Sequence, residues 1–119
     1  MIELLKSKIH RASVSKSDIN YEGSITIYKE LMDKAHIYEY EKVVVVDINN
    51  GKRFETYVIE GNDPLNAICV NGAAARLVHI GDKVIIMSYR FVDEKERIQK
   101  FGINYKPIVV CVDDNNRIK

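Results

Sequence analysis

A chain of 119 residues fits one domain, and a domain of that size buries roughly two-thirds of its unfolded surface, enough for a core without disulfide staples. Hydrophobic residues make up 46% and charged residues 29%, with 18 Lys and Arg against 17 Asp and Glu for a formal net charge of +1, which excludes a disordered chain or a polyelectrolyte tail. Lys and Arg are interleaved with Asp and Glu along the chain rather than gathered in one stretch, so no nucleic-acid partner is expected.

In chain order, β-branched and aromatic residues collect in short runs bounded by turn formers, at 2–9, 12–14 and Ser24–Tyr28. Lys29–Ala35 follows with good helix formers and with Leu31, Met32 and Ala35 at helical spacing. Further strand patterns cover 42–48 and 53–60, and Asn49-Asn50-Gly51 between them predicts a hairpin, because Asn and Gly accept the positive φ that a tight turn demands. Gly61-Asn62-Asp63-Pro64 reads as a loop, 67–70 as a strand and 73–77 as a short helix. Residues 83–91 predict another strand, 93–100 a short exposed helix and 107–112 a closing strand. About six or seven strands with little helix make a mainly β domain, a small barrel or sandwich. Val43-Val44-Val45-Val46 and the run 108–112 are continuously apolar, which predicts cover on both faces, from the barrel or from another subunit.

The first residues, Met1-Ile2-Glu3-Leu4-Leu5-Lys6, lack the apolar core of a signal peptide, and no stretch approaches membrane-spanning length, so a cytoplasmic protein without membrane contact is expected. Cys69 and Cys111 each sit inside an apolar run with no Cys-x-x-Cys spacing, and both are expected to be buried thiols. His10, His36 and His79 show no ligand spacing, so no metal is expected. Asn71-Gly72-Ala73-Ala74-Ala75 is the unusual segment: three tiny side chains at a helix start let backbone approach a guest, and the orphan amides there suit an anion. The same residues also read as a tight strand-to-helix turn packed against a neighbour, and nothing in the segment alone separates the two.

Several stretches together resemble the aspartate 1-decarboxylase family, the pyruvoyl enzymes that make β-alanine for pantothenate and coenzyme A. They are Lys8-Ile9-His10-Arg11-Ala12, Tyr21-Glu22-Gly23-Ser24, Asn50-Gly51-Lys52-Arg53-Phe54-Glu55-Thr56-Tyr57, Val70-Asn71-Gly72-Ala73-Ala74-Ala75-Arg76, Gly81-Asp82-Lys83-Val84-Ile85-Ile86, and the strand from Pro107 to Asp113. Each is weak alone, and their order and separations carry the match over nearly the whole chain.

That resemblance implies a six-stranded double-psi β-barrel over residues 1–119, assembled as a homotetramer with active sites between subunits. It implies a precursor that cuts itself between Gly23 and Ser24, giving a β chain of residues 1–23 and an α chain of residues 24–119. In the family the serine hydroxyl attacks the preceding carbonyl to give an ester, elimination follows, and hydrolysis leaves a pyruvoyl group at position 24 that forms a Schiff base with L-aspartate. The residue types suit this, since glycine leaves its carbonyl open to attack and serine carries both the nucleophile and a β-leaving group. Standing alone, however, Gly23-Ser24 is an ordinary turn before a strand.

By the same carry-over, Thr56 is the oxyanion donor of cleavage and Tyr57 the proton donor of turnover. Arg53 would pair with the α-carboxylate and Lys8, from a neighbouring subunit, with the side-chain carboxylate, with His10 on the same wall. Thr56, Asn71, Gly72, Ala73 and Ala74 complete the substrate pocket, and Tyr21 and Glu22 shape the cleaved bond. Adjacent strand residues point to opposite faces, so Thr56 and Tyr57 reach one pocket only through a bulge, a twist or a site at a strand edge. Two other readings stand beside this one: a pyruvoyl decarboxylase for a different amino acid, and a non-catalytic barrel that binds nucleic acid or protein through some of its seven tyrosines.

Overall fold

The computed structural model describes residues 1–102 and 104–119. Eight strands are joined in one unclosed, barrel-like sheet in the order β2-β6-β3-β5-β4-β7-β1-β8. They are β1 (Ile2–Ser13), β2 (Lys16–Asp18), β3 (Ser24–Tyr28), β4 (Lys42–Asp47), β5 (Arg53–Gly61), β6 (Ile68–Asn71), β7 (Lys83–Val92) and β8 (Ile108–Cys111). Two α-helices, α1 (Lys29–Ala35) and α2 (Glu94–Phe101), and two 3-10 helices, Pro64–Asn66 and Gly72–Leu77, complete the elements. The domain is mainly β, as its strand-rich sequence predicts.

The expected runs 2–9 and 12–14 are one long strand. Its ladder with β7 slips between Ile9 and Ala12, where Arg11 takes a φ of 63°, so a bulge rather than a break separates them. Lys16–Asp18 is a strand that its sequence, Lys-Ser-Asp, does not announce; it forms only because β6 pairs with it in parallel. The expected hairpin at 49–51 joins β4 to β5, and within it Gly51 alone turns to positive φ (74°). Asp47 closes that loop by accepting from the Asn49 and Asn50 amides at 2.8 and 3.2 Å.

The core lies where Ile9, Val43, Val45, Val58, Val84 and Ile86 meet Ile25, Ile27, Ile68 and Val70, all fully buried. Helix α1 closes one end of it through Leu31, Met32 and Ala35, and stops where His36 adopts the left-handed conformation. Burial on β4 alternates, with Val43 and Val45 inside and Val44 and Val46 only half-covered. On β8 only Val110 is buried; Val109 is 47% exposed and Cys111 is exposed as well. The two-sided cover expected for these strands is therefore not supplied by this chain, and Cys111 is not the buried thiol that its apolar run suggests. Strand β8 is an edge strand, so alternate residues face outward. Cys69, on the inner strand β6, is buried as expected, and burial raises its thiol pKa.

Candidate active site

Strand β3 is the axis of the site. Its Ile25 and Ile27 enter the core, so Ser24 and Thr26 share the opposite face. Ser24 is nevertheless only 1% exposed, because β6 runs antiparallel beside it and sets Asn71 directly across. The Asn71 side-chain Nδ2 donates to Ser24 Oγ and to Thr26 Oγ1, both at 3.1 Å, and Ser24 Oγ donates to the Glu22 carbonyl at 3.2 Å. The hydroxyl is thus held in place immediately after Gly23. Thr26 was not anticipated from sequence, although its position two residues past Ser24 on the same strand face is the signal that could have found it.

Past Asn71 the chain enters the Gly72–Leu77 3-10 helix through Gly72, at a φ of 76°. A β-carbon on Gly72 would lie 2.5 Å from Gly23 Cα and 2.7 Å from Gly23 N, so this turn packs backbone to backbone against the residue before Ser24. Of the two alternatives for this segment, the turn packed against a neighbour is realised, and the neighbour is Gly23. Six residues form the 3-10 helix, and Ala75 is buried in it while Ala73 is exposed and Ala74 half-buried.

Thr56 and Tyr57 are on β5, which flanks β3 on the side opposite β6. Its ladder with β4 runs unbroken from Arg53 to Tyr57, pairing Thr56 with the buried Val43 and Tyr57 with Lys42, so the two side chains face opposite ways and no bulge reconciles them. Its parallel ladder with β3 starts only at Ile25 beside Val58. Tyr57 and Thr56 thus lie one and two residues beyond the end of that ladder on β5, as Ser24 and Gly23 do on β3.

The cations lie elsewhere. Arg53 is on the exposed end of β5, in a cleft of about 510 Å³ with Glu3, Lys42, Glu55, Tyr89 and Phe91. Lys8 and His10 are on β1, which β5, β4 and β7 separate from β3 in the sheet. The parallel ladder with β8 puts Val109 beside Lys8 and Cys111 beside His10. Among the described residues neither Lys8 nor Arg53 makes a salt bridge, whereas Lys6, Lys29, Lys42, Lys83 and Lys100 all do. Burial lowers the His10 pKa, helped by the charges of Lys8, Arg11 and Lys119, and its Nδ1 is buried without a partner. One chain therefore joins Ser24, Gly23, Asn71 and Gly72, while Thr56 and Tyr57 lie on β5 just beyond its ladder with β3, and Lys8 and His10 lie on β1, with β5, β4 and β7 between it and β3 in the sheet order. The larger cleft, about 890 Å³ between Tyr28, Leu65, Ile80, Lys83 and Asn116, contains none of the predicted residues.

The barrel-like β domain thus carries a buried serine hydroxyl that is held by an amide and follows a residue without a side chain. The sequence pattern of the family described as aspartate decarboxylase matches residues 1–119. The aspartate 1-decarboxylase of Caldicellulosiruptor bescii is 59% identical over 117 residues, covering 98% of this chain and 88% of its own. That of Caldicellulosiruptor saccharolyticus is 58% identical over 118 residues, and that of Clostridium kluyveri 56% over 117, with 99% and 98% of this chain and 88% of each relative covered. The chain belongs to the aspartate decarboxylase family, a family of carboxy-lyases. No helix among the described residues is long and apolar enough to cross a membrane.

Proposed function

We propose that the chain is a precursor that cuts itself between Gly23 and Ser24 and then decarboxylates L-aspartate to β-alanine and carbon dioxide. The observation that carries this reading is the environment of Ser24: a hydroxyl 1% exposed, fixed by Asn71 and following a residue with no side chain, in a chain of the aspartate decarboxylase family. Nothing in the fold itself demands glycine at 23, since its φ is not positive and a β-carbon there would meet nothing within 4 Å. An open carbonyl beside an ordered nucleophile is a chemical reason for a glycine that packing does not require.

The products are residues 1–23 and 24–119, and a pyruvoyl group formed from Ser24 begins the second. The residues present fit such a group: Asn71 Nδ2, now donating to Ser24 Oγ, is a ready donor to a small oxygen-bearing group at this position. That group supplies an electrophilic carbonyl that condenses with the substrate amine and takes up the electrons left by the departing carboxylate. The chain's own residues do the rest. Thr56 donates to the oxyanion formed when the Gly23 carbonyl is attacked, and Tyr57 delivers a proton to the substrate carbon.

Arg53 and Lys8, which make no ion pair among the described residues, hold the two carboxylates of aspartate, with the Arg fork on the α-carboxylate and the Lys on the side chain. Ala73 and Ala74 add small walls and amides. Because β1 stands apart from β3 in the sheet, Lys8 and His10 come from a neighbouring copy. The same neighbour covers the open faces of β4 and β8 in a homotetramer. The enzyme works in the cytoplasm, supplying β-alanine for pantothenate and coenzyme A. Intact-mass measurement of the purified chain and of Ser24→Ala tests the reading together with carbon dioxide release from aspartate, glutamate and alanine. Two fragments from the first, one species from the second and release from aspartate alone are expected. An unbroken wild-type chain after prolonged incubation defeats the cleavage, and equal release from all three amino acids defeats the roles of Lys8 and Arg53.

A further inference from the structure

Glycine is needed at two different places near Ser24 for two different reasons, and only one of them is steric. Gly23, at the bond to be cut, has open space where a side chain would be. Gly72, 49 positions later by subtraction, has none: its absent β-carbon would overlap Gly23 Cα at 2.5 Å and Gly23 N at 2.7 Å, and would crowd the Tyr21 carbonyl at 3.3 Å. Its φ of 76° independently favours glycine. The residue before it, Asn71, pairs with Ser24 in the ladder and fixes the Ser24 hydroxyl. Asn71 therefore grips the nucleophile's side of the bond while Gly72 grips the acyl side, from two adjacent residues of one turn.

From this contact we infer that Gly72 is a positioning residue for cleavage of the chain, setting the Gly23 carbonyl against Ser24 Oγ; the inference rests on the self-cleavage reading above. The step it controls is an N-to-O acyl shift. Ser24 Oγ bonds to the Gly23 carbonyl carbon, the Gly23–Ser24 C–N bond breaks, and the hydroxyl proton passes to the released Ser24 nitrogen, leaving an ester. Such an attack needs the two atoms within a near-attack distance, and a misplacement of about 1 Å costs on the order of 100-fold. A methyl at 72 forces a shift of roughly 0.5–0.9 Å, from 2.5 Å out to 3.0–3.4 Å, and because the atoms it meets are backbone that shift falls on the Gly23–Ser24 segment or on the turn that carries Asn71.

The test follows cleavage by intact mass in wild type, Gly72→Ala and Gly81→Ala. Gly81 shares the strain, with a φ of 93°, but a β-carbon there meets nothing within 4 Å. We expect folded Gly72→Ala to cleave about 100-fold more slowly than wild type, and folded Gly81→Ala, which carries the same kind of φ strain without a contact to Gly23, to cleave at close to the wild-type rate. Hydroxylamine, which splits an ester, should release no residue 1–23 fragment from Gly72→Ala, since the acyl shift itself is blocked. Should that variant be unfolded in dilute buffer, the comparison is repeated in trimethylamine N-oxide, which favours the compact state. Folded Gly72→Ala cleaving at the wild-type rate, or hydroxylamine restoring its cleavage, overturns the inference while leaving self-cleavage intact. A wild-type chain that never cleaves overturns both.

Discussion

The surroundings of Ser24 and the surroundings of Lys8 and Arg53 are built on opposite plans. Around Ser24 everything comes from one chain: Glu22, Thr26, Asn71 and Gly72 close on a hydroxyl that is 1% exposed, and every contact is backbone or a short side chain. Around Lys8 and Arg53 the surface is open, the cations have no ion-pair partner among the described residues, and Val109 beside Lys8 is half-exposed. Our reading of the difference is that the chain carries within itself what it needs to cut the Gly23–Ser24 bond, and that it offers its substrate-reading cations to another copy. Cleavage is then a property of the folded monomer and turnover a property of the assembly.

The largest effect expected on the cleavage side is from Thr56→Ala. Loss of one oxyanion donor slows an acyl attack by roughly 10² to 10³-fold, so this variant should stay full length long after wild type has split, as read by intact mass over time. A variant that matures normally removes Thr56 from the cradle and leaves its inward position beside Val43 as plain packing.

On the turnover side, Lys8→Ala and Arg53→Ala should both cleave normally. Each should lower kcat/KM for aspartate by roughly 30-fold or more, the usual result of stranding one member of a charge pair. Mixing sharpens the comparison further. Lys8→Ala, which has its own Ser24, combined with Ser24→Ala, which has its own Lys8, should regain activity that neither shows alone if the two residues act across a subunit boundary. No recovery from subunits shown to exchange would mean that the site lies within one chain.

A smaller effect belongs to Asn71→Ala, which strips the amide from two hydroxyls at once. Measured by denaturant midpoint in the uncleaved Ser24→Ala background, where only the Thr26 bond is left to lose, the cost should be about 0.5–1.5 kcal/mol of folding stability.

Much of this was legible in advance where local chemistry decides. Helix α1 has its expected limits because Leu31, Met32 and Ala35 fall on one face, and the 49–51 hairpin forms because Asn and Gly leave the chain few alternatives. The strand Lys16–Asp18 was invisible, since nothing in Lys-Ser-Asp favours a strand until β6 lies beside it. Cys111 misled because an apolar run on an edge strand looks the same as one in the middle of a sheet. Within the site, Ser24, Asn71 and Gly72 were named from family resemblance, but the reason for Gly72 could not be read, because its partner Gly23 is a tertiary neighbour. That Lys8 serves another subunit was expected from the resemblance alone, because strand order, which sets β1 apart from β3, is a property of the whole sheet.

The least effect expected is at a third place, the turn where Asp47 meets Asp82, away from both regions. Asp47 is fully buried; its Oδ1 accepts two amides, while its Oδ2 is buried without a partner. Burial first, and then the neighbouring Asp82 carboxyl, raise the Asp47 pKa, and Asp47 in turn lowers that of Asp82. The folded state thus holds a proton on Asp47 that the unfolded chain has lost above pH 3.8, so this group's contribution to stability falls as pH rises from there through its raised value. Asp82 works in the other direction, adding stability above its ordinary pKa that is lost as pH falls through its lowered value. Asp47→Asn keeps the Oδ1 acceptor and gives Asp82 a permanent donor. It should change stability by no more than about 1 kcal/mol, flatten the decline on the alkaline side of 3.8 and leave the acid-side loss from Asp82 in a less acidic range. Thermal melting across pH reads this directly. Cleavage in the same variant should match wild type, because no hydrogen bond of Asp47 reaches Gly23 or Ser24 among the described residues. If cleavage slowed along with a lost melting slope, the cradle around Ser24 would depend on the far hairpin, and the division between a self-contained cleavage site and an open recognition surface would have to be redrawn.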